Sequence, residues 1–304
     1  MSLVQPITPH LWYDKEAREA ADFYCSLFPN SGVTSVTTLS GTPSGDCDVV
    51  SFVLAGHPFM AISAGPHFKF NPSISFMLHF DPRVDAHARE NLDAAWGKLV
   101  EGGKALMDIG EYPFSQRYGW VQDRYGLSWQ LILAKPEGEP RPFIMPSLLF
   151  TGEAAGKAEQ AAEYWRSVFD GSQAGALARY PEGSSPDKPG TVMYSDFALD
   201  DDWFVAMDSA HAHGFAFNEA ISFLITCRDQ AEIDRYWQAL SHVPQAEQCG
   251  WCKDKFGVAW QITSSLVEEV MQSGDRARID RLTAAFLKMK KIDVAALEQA
   301  VRAD

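Results

Sequence analysis

Apolar positions along the chain switch between two periods. Ala20, Phe23, Tyr24, Leu27 and Phe28 fall at i, i+3, i+4, i+7 and i+8, one face of a helix, and predict a helix over residues 16–28. A strand at residues 7–13 precedes it, and strands at 33–39, 49–54 and 58–62 follow. A second round then begins, with a strand at 73–80, a helix at 85–100 and strands ending at 128–133. Within 73–80, Ile74, Phe76, Leu78 and Phe80 share one face, while Ser73, Ser75, Met77 and His79 share the other. The purely apolar face belongs under a helix, and the opposite face is mixed.

The same pattern returns later in the chain. Gly119, Trp120, Asp123, Gly126, Trp129 and Gln130 recur in order and spacing as Gly250, Trp251, Asp254, Gly257, Trp260 and Gln261. Ile74-Ser75-Phe76 returns as Ile221-Ser222-Phe223, and the first helical stripe returns as Ala161, Tyr164, Trp165, Val168 and Phe169. Leu92, Ala95, Trp96 and Leu99 match Ile233, Tyr236, Trp237 and Leu240 in phase. A fixed-order repeat of this kind identifies a duplicated unit. Lys135 to Pro142, with three prolines and one glycine, reads as the linker. The division is a first domain at 1–137, a second at 138–265, and a helical extension at 266–304. Ile279, Leu282, Ala285, Phe286 and Met289 form the extension's apolar face, which is expected to pack across the domains.

Composition narrows the function classes. The chain has 304 residues, 46% hydrophobic and 22% charged, enough for about two ordinary domains. A formal net charge of −14 is the wrong sign for a phosphate backbone or an anionic membrane, so no nucleic-acid or membrane partner is expected. No run approaches the ~20 apolar residues that span a bilayer, and Met1 to Pro6 lacks the basic and apolar parts of a signal peptide. With five cysteines, an odd number, a reducing compartment fits better than a disulfide framework, and the expected location is the cytoplasm.

The Gly-Trp-x-x-Asp-[Arg/Lys]-[Tyr/Phe]-Gly-x-x-Trp-Gln endings, the Gly65-Pro66-His67-Phe68-Lys69-Phe70-Asn71 run and the tail Leu287 to Asp293 resemble the PhnB-like branch of the vicinal oxygen chelate superfamily. That superfamily also holds glyoxalase I, extradiol dioxygenases and bleomycin-resistance proteins. Members of the branch often carry the label 3-demethylubiquinone-9 3-methyltransferase-like. The resemblance implies an α+β fold of tandem domains, each of two βαβββ units, with a curved mixed sheet, helices on its convex face and a cavity on its concave face. Single-domain relatives pair as homodimers, so the chain is expected to be an internal pseudo-dimer, with a further homodimer left open.

The resemblance also implies a divalent metal held by His and Glu on the first, fourth, fifth and eighth strands. Here the eighth-strand Glu is replaced by Gln130 and Gln261, and the fourth and fifth strands begin Phe59-Met60 or Phe204-Val205 and Ser73-Ile74 or Ala220-Ile221. Only His10 on the first strand stands at a ligand position, and its counterpart is Ser147. No cofactor is therefore expected, a divalent metal being the disfavoured alternative with His10 as its one candidate ligand. The candidate cavity residues are His10, Trp12, His67, Ser75, Met77, His79, Trp120, Gln130, Ser222, Trp251 and Gln261. An amide facing a cavity needs a partner, which a ligand or water would supply. His79 has no carboxylate neighbour that the pattern places beside it. Cys249-x-x-Cys252 precedes a turn rather than opening a helix, which argues against a redox pair, and His211 and His213 would complete a zinc set only if their loop folded across. The Asp123–Gly126 and Asp254–Gly257 segments read as Asp-capped turns.

Three functions compete. The first is a metal-free protein of the bleomycin-resistance type, binding a small, largely apolar molecule in a cavity. The second is an enzyme acting on a small aromatic or oxygenated substrate, of the lyase, isomerase or dioxygenase type. The third is the labelled methyltransferase, against which stands the lack of a glycine-rich S-adenosylmethionine loop after a parallel strand.

Overall fold

The structure, a computed structural model, describes residues 7–302. The reading of Met1 to Pro6 and the last two residues of the extension lie outside the described residues. The chain runs as four modules and a tail. The first module is β1 (Thr8–Tyr13), α1 (Ala17–Cys25), β2 (Gly32–Thr42), β3 (Gly45–Leu54) and β4 (His57–Ser63). The second is β5 (Ile74–Phe80), α2 (Ala88–Val100), β6 (Lys104–Tyr112), β7 (Ser115–Gln122) and β8 (Ser128–Leu133). The third is β9 (Ile144–Phe150), α3 (Ala158–Val168), β10 (Gln173–Arg179), β11 (Val192–Leu199) and β12 (Asp202–Asp208). The fourth, β13 (Ile221–Cys227), α4 (Gln230–Leu240), β14 (Trp251–Lys253) and β15 (Ala259–Ser264), has one strand fewer. The tail is α5 (Ser265–Gln272), α6 (Arg276–Phe286) and α7 (Val294–Arg302).

These modules form a tandem α+β fold in which each sheet takes one module from each repeat. One compact unit is Met1–Lys69 with Asn218–Asp304, and the other is Phe70–Phe217. The first unit holds a seven-stranded sheet ordered β14-β15-β13-β1-β4-β3-β2, and the second an eight-stranded sheet ordered β10-β11-β12-β9-β5-β8-β7-β6. The sequence repeat and the compact unit are therefore different divisions of the chain, and the linker at 135–142 lies inside the second unit. The joint between modules has a local cause. The proline-rich linker turns the chain after β8 so that β9 returns antiparallel to β5, with Ser147 opposite Ser75. In the first unit β1 pairs antiparallel with β13, with His10 opposite Ser222.

Strand alternation partitions each sheet as its pattern predicts. Ile74, Phe76, Leu78 and Phe80 are buried against the helix side, with Phe76 and Trp129 rings 5.5 Å apart. Phe223 and Trp260 repeat that contact at 5.5 Å in the first unit. Helices α4 to α7 are started by side-chain caps: Asp229 accepts from Glu232 N, Ser264 from Leu266 N, Asp275 from Arg278 N and Asp293 from Ala296 N. The tail docks within the first unit, on β2 of the first repeat and on the β14 edge of the second. Thr37 Oγ1 donates to the Met271 carbonyl, while Cys249 N and Gly250 N donate to the carbonyls of Met289 and Lys290. Those last two bonds cover the edge where the fourth module lacks a strand.

The repeated Asp turns are structural, as their sequence suggests. Asp254 Oδ1 accepts from Phe256 N and Val258 N at 2.8 and 3.0 Å, and Oδ2 accepts from Trp260 Nε1 at 3.0 Å. Asp123 makes the same three bonds to Tyr125 N, Leu127 N and Trp129 Nε1. Gly126 and Gly257 close the turns at φ 89° and 91°, a region that costs other residues strain. Each carboxylate thus ties a turn to the largest ring of its core. Asp254→Ala leaves three buried donors without acceptors, and is expected to cost about 3 kcal/mol or more of stability. Urea unfolding checks this, and a loss below about 1 kcal/mol would contradict it.

Candidate functional site

The concave face of the first unit encloses a cavity of about 800 Å³. Its floor comes from inward positions of adjacent strands: Thr8, His10 and Trp12 on β1, Met60 and Ile62 on β4, Leu224 and Thr226 on β13, Gln261 and Thr263 on β15. One wall is aromatic. The Trp251 ring meets His10 edge-on at 5.6 Å and Trp12 at 6.0 Å, and Trp12 meets Phe68 at 5.1 Å. Trp12 Nε1 donates to the Gly65 carbonyl at 2.8 Å, which fixes the ring and leaves its face to the cavity. The tail supplies the roof through Val267, Met271, Phe286, Leu287 and Ile292. Among the described residues no Lys or Arg lines the cavity, whereas Glu219 and Glu268 do; Glu219 is paired with Lys253 at 2.8 Å.

Besides the hydroxyls of Thr8, Thr226 and Thr263, the polar groups of the floor are His10 and Gln261. His10 is buried and its Nδ1 has no hydrogen-bond partner. Burial lowers its pKa from 6.5 to about 3, so the ring is neutral at physiological pH. Gln261 Nε2 donates to Ser222 Oγ at 2.9 Å, which leaves Oε1 facing the cavity. Ser222 is the register partner of His10 and lies beneath the amide.

The second unit uses the equivalent positions differently. The ladders equate Thr8 with Met145, Val49 with Tyr194, Ser51 with Asp196, Pro58 with Trp203 and Ile62 with Met207. At these five positions the larger side chain stands in the second unit, whereas His10, Trp12 and Met60 of the first unit exceed their counterparts Ser147, Leu149 and Val205. Met77, Met145 and Val205 form a buried cluster there, with Ile132, Tyr194, Trp203 and Met207 packed against it. Arg141, from the linker, pairs with Asp196 through two bonds of 2.9 and 3.1 Å and lies 4.0 Å from the centre of the Trp203 ring. Gln130 is fully engaged: Oε1 accepts from Tyr118 at 2.7 Å, and Nε2 donates to Ser75 at 2.9 Å and Ser147 at 3.2 Å.

Of the residues singled out from sequence, His10, Trp12, His67, Trp251 and Gln261 line the first unit's cavity, with Ser222 just below. Ser75, Met77, His79, Trp120 and Gln130 belong to the second unit, where Met77 packs in the cluster with Met145 and Val205. His10 therefore works with the amide of the other repeat. His79, which the pattern leaves without a carboxylate, feels both Asp196 and Arg141, and burial lowers its pKa to about 4. Cys249 lines the cavity and Cys252 is buried opposite Trp260 on the next strand; burial raises both thiol pKa values, that of Cys249 to about 11. A raised pKa is the reverse of what a redox pair needs. His211 and His213 belong to the other unit, where they contact Asp187 and Ser209, and no group of three His, Cys, Asp or Glu among the described residues is placed to hold a metal. The roof residues of the tail were missed as site residues, although Phe286 falls on the predicted apolar face that ends in Met289, and Leu287 and Ile292 fall in the Leu287–Asp293 run.

A family model described as 3-demethylubiquinone-9 3-methyltransferase matches residues 5–132 and again residues 142–263. The chain belongs to this family, the PhnB-like branch of the vicinal oxygen chelate superfamily. The two matches are the two repeats, so the PhnB-like unit is present in tandem. A PhnB protein of Bacillus cereus with the same family description is 36% identical, over 43% of this chain and 100% of its own, with a TM-score of 0.39. Glyoxalase I of Zea mays shares the fold at a TM-score of 0.53 and 11% identity, over 89% of this chain and 96% of its own. No curated protein matches the chain. Among the described residues no helix is long and apolar enough to cross a membrane.

The buried histidines of the PhnB-like chain carry a pH dependence. His57 and His79 have pKa values lowered to about 4 and His10 to about 3, each chiefly by burial, against 6.5 for the free side chain. Below pH 6.5 the unfolded chain binds protons that the folded chain refuses, so stability falls as pH drops from 6.5 towards 4. Each histidine contributes up to about 1.4 kcal/mol per pH unit. Urea unfolding at neutral and mildly acidic pH is expected to show this loss, with a shallower slope in His10→Gln; a slope unchanged by the substitution would contradict the assignment.

Proposed function

We propose that the chain is a binding protein of the glyoxalase and bleomycin-resistance type, holding one small, largely apolar, aromatic molecule per chain in the first unit's cavity without a metal. The observation that carries this is the cavity of about 800 Å³ walled by Trp12, Trp251 and Phe68, set against a second unit in which Met77, Met145 and Val205 form a buried cluster with Trp203 packed against it. Apolar lining with a few convergent polar groups is the usual character of a small-molecule site. The ligand is not an anion, because Glu219 and Glu268 line the cavity with no Lys or Arg, and His10 is neutral.

The donors at the floor do not suit the divalent metal of the superfamily. Besides the hydroxyls of Thr8, Thr226 and Thr263 they are the imidazole of His10, the hydroxyl of Ser222 and the amide of Gln261, with Met60 beside His10 on β4 and no carboxylate among them. A metal-bound step is therefore no part of this reading. Binding is favoured over acid–base chemistry by His10 itself, since a ring with a pKa of about 3 is a weak base. Methyl transfer, which the family description names, would need a cofactor site of the glycine-rich parallel βαβ kind, and the glycine-bearing turn between β2 and β3 joins antiparallel strands.

Titration with N-phenyl-1-naphthylamine, followed by tryptophan quenching, is expected to give one site per chain. The sulfonated analogue 1-anilinonaphthalene-8-sulfonate should bind at least about tenfold more weakly, and Trp251→Ala should weaken the neutral probe by about tenfold. Two sites per chain, preference for the sulfonate, a stoichiometric transition metal in native protein, or micromolar S-adenosylmethionine binding would overturn the proposal.

A further inference from the structure

The two units place the same amide in two states. In the second unit Gln130 Oε1 accepts the hydroxyl of Tyr118 at 2.7 Å, and the amide's other end is held by Ser75 and Ser147. Burial raises the pKa of Tyr118, so the group that donates is a neutral phenol. In the first unit Gln261 is anchored in the same way, with Nε2 on Ser222, the counterpart of Ser75. Its Oε1 has no such donor. The position equivalent to Tyr118, just before the repeated Gly-Trp, is Cys249, whose backbone turns through φ 54° and bonds to the tail at Met289. A short thiol thus stands at the position of the phenol ring, and Cys249 lines the cavity.

We propose that the cavity of the first unit takes a phenol, whose hydroxyl donates to Gln261 Oε1 as the hydroxyl of Tyr118 donates to Gln130 in the second unit. This rests on the reading of the cavity as a small-molecule site and adds the chemical class. The surroundings suit a hydroxyaromatic ring. Trp251 is the register partner of Gln261 on the neighbouring strand and offers a ring wall at the point where the hydroxyl would sit. His10, the register partner of Ser222, completes the pair of polar groups. Its Nδ1 is buried without a partner, and a lone pair is cheaper to leave there than an N–H, so the proton belongs on Nε2. Nε2–H can then donate to the phenol oxygen while the phenol donates to Gln261. A hydroxyl that both donates and accepts meets both groups; an ether or a hydrocarbon does not. The absence of any lining Lys or Arg disfavours a phenolate, so the phenol is taken up neutral.

The test uses the full chain and three probes of nearly one shape: p-cresol, which is the tyrosine side chain itself, 4-methylanisole, which keeps the oxygen and loses its proton, and toluene. Calorimetry is expected to show p-cresol binding at one site per chain, at least about tenfold more tightly than either of the others. In Gln261→Met, which keeps the bulk and removes the acceptor, the preference should fall to within about twofold. The comparison on the unaltered chain stands even if that variant does not fold. Equal affinity for p-cresol and toluene overturns the phenol assignment and leaves the apolar cavity standing, as does a preference that survives in Gln261→Met. Failure of all three probes to bind overturns both.

Discussion

The pairing of β1 with β13 is the contact on which the site depends. It is an antiparallel ladder between the first strand of one repeat and the fifth strand of the other, and it sets His10 opposite Ser222. Because side chains alternate strictly along a strand, that one register puts His10, Trp12 and Thr8 on the same face as Leu224 and Gln261. A slip of one residue would send His10 into the helix-side core and Leu11 into the cavity. The matching ladder between β5 and β9 does the same in the second unit, with Ser75 opposite Ser147. Both sheets are thus built from complementary halves, and neither repeat completes a sheet with its own strands.

From this common frame the two units diverge by volume and by edge. The second unit has a full eighth strand, a long β7 that carries Tyr118 inward, and bulky Met145, Tyr194, Trp203 and Met207 at inward positions. Arg141 and Asp196 add a nearly buried ion pair, tolerable because the carboxylate also accepts from Ala176 N and Tyr194, and the guanidinium lies on Trp203. In the first unit Thr8, Val49, Pro58 and Ile62 stand at the places of those four residues and Ser51 at that of Asp196, and β14 has three residues. Close packing and open space are alternative uses of one surface, decided by a few side chains per strand. The tail then closes what the smaller side chains leave open, since a face so apolar would otherwise meet water.

Much of the fold was legible because it is written in local periods. The helices, the strand faces and the Asp-capped turns follow from spacing alone, and the recurrence of Asp123 to Gln130 as Asp254 to Gln261 exposes the duplication without reference to any partner strand. The linker at 135–142 is equally local. The site was legible only as residue types: His10, Trp12, Trp251 and Gln261 could be assigned to inward faces, but nothing in their spacing says which of them meet. His79 shows the same limit, since Asp196 and Arg141 reach it through strand order.

The amino-acid sequence by itself determined the modules, their orientation on each face and the substitutions that separate one repeat from the other, because these depend on neighbours three or four residues away on a helix and two away on a strand. Tertiary structure alone decided that modules pair between repeats, that His10 shares a floor with Gln261, and that the tail roofs one cavity. Those outcomes depend on contacts between residues more than 200 positions apart, such as His10 with Ser222, and on whether the summed side-chain volumes fill the space between strands. Pairing and volume are properties of the assembled sheet, so the same inward-facing glutamine meets a tyrosine in one unit and an open cavity in the other.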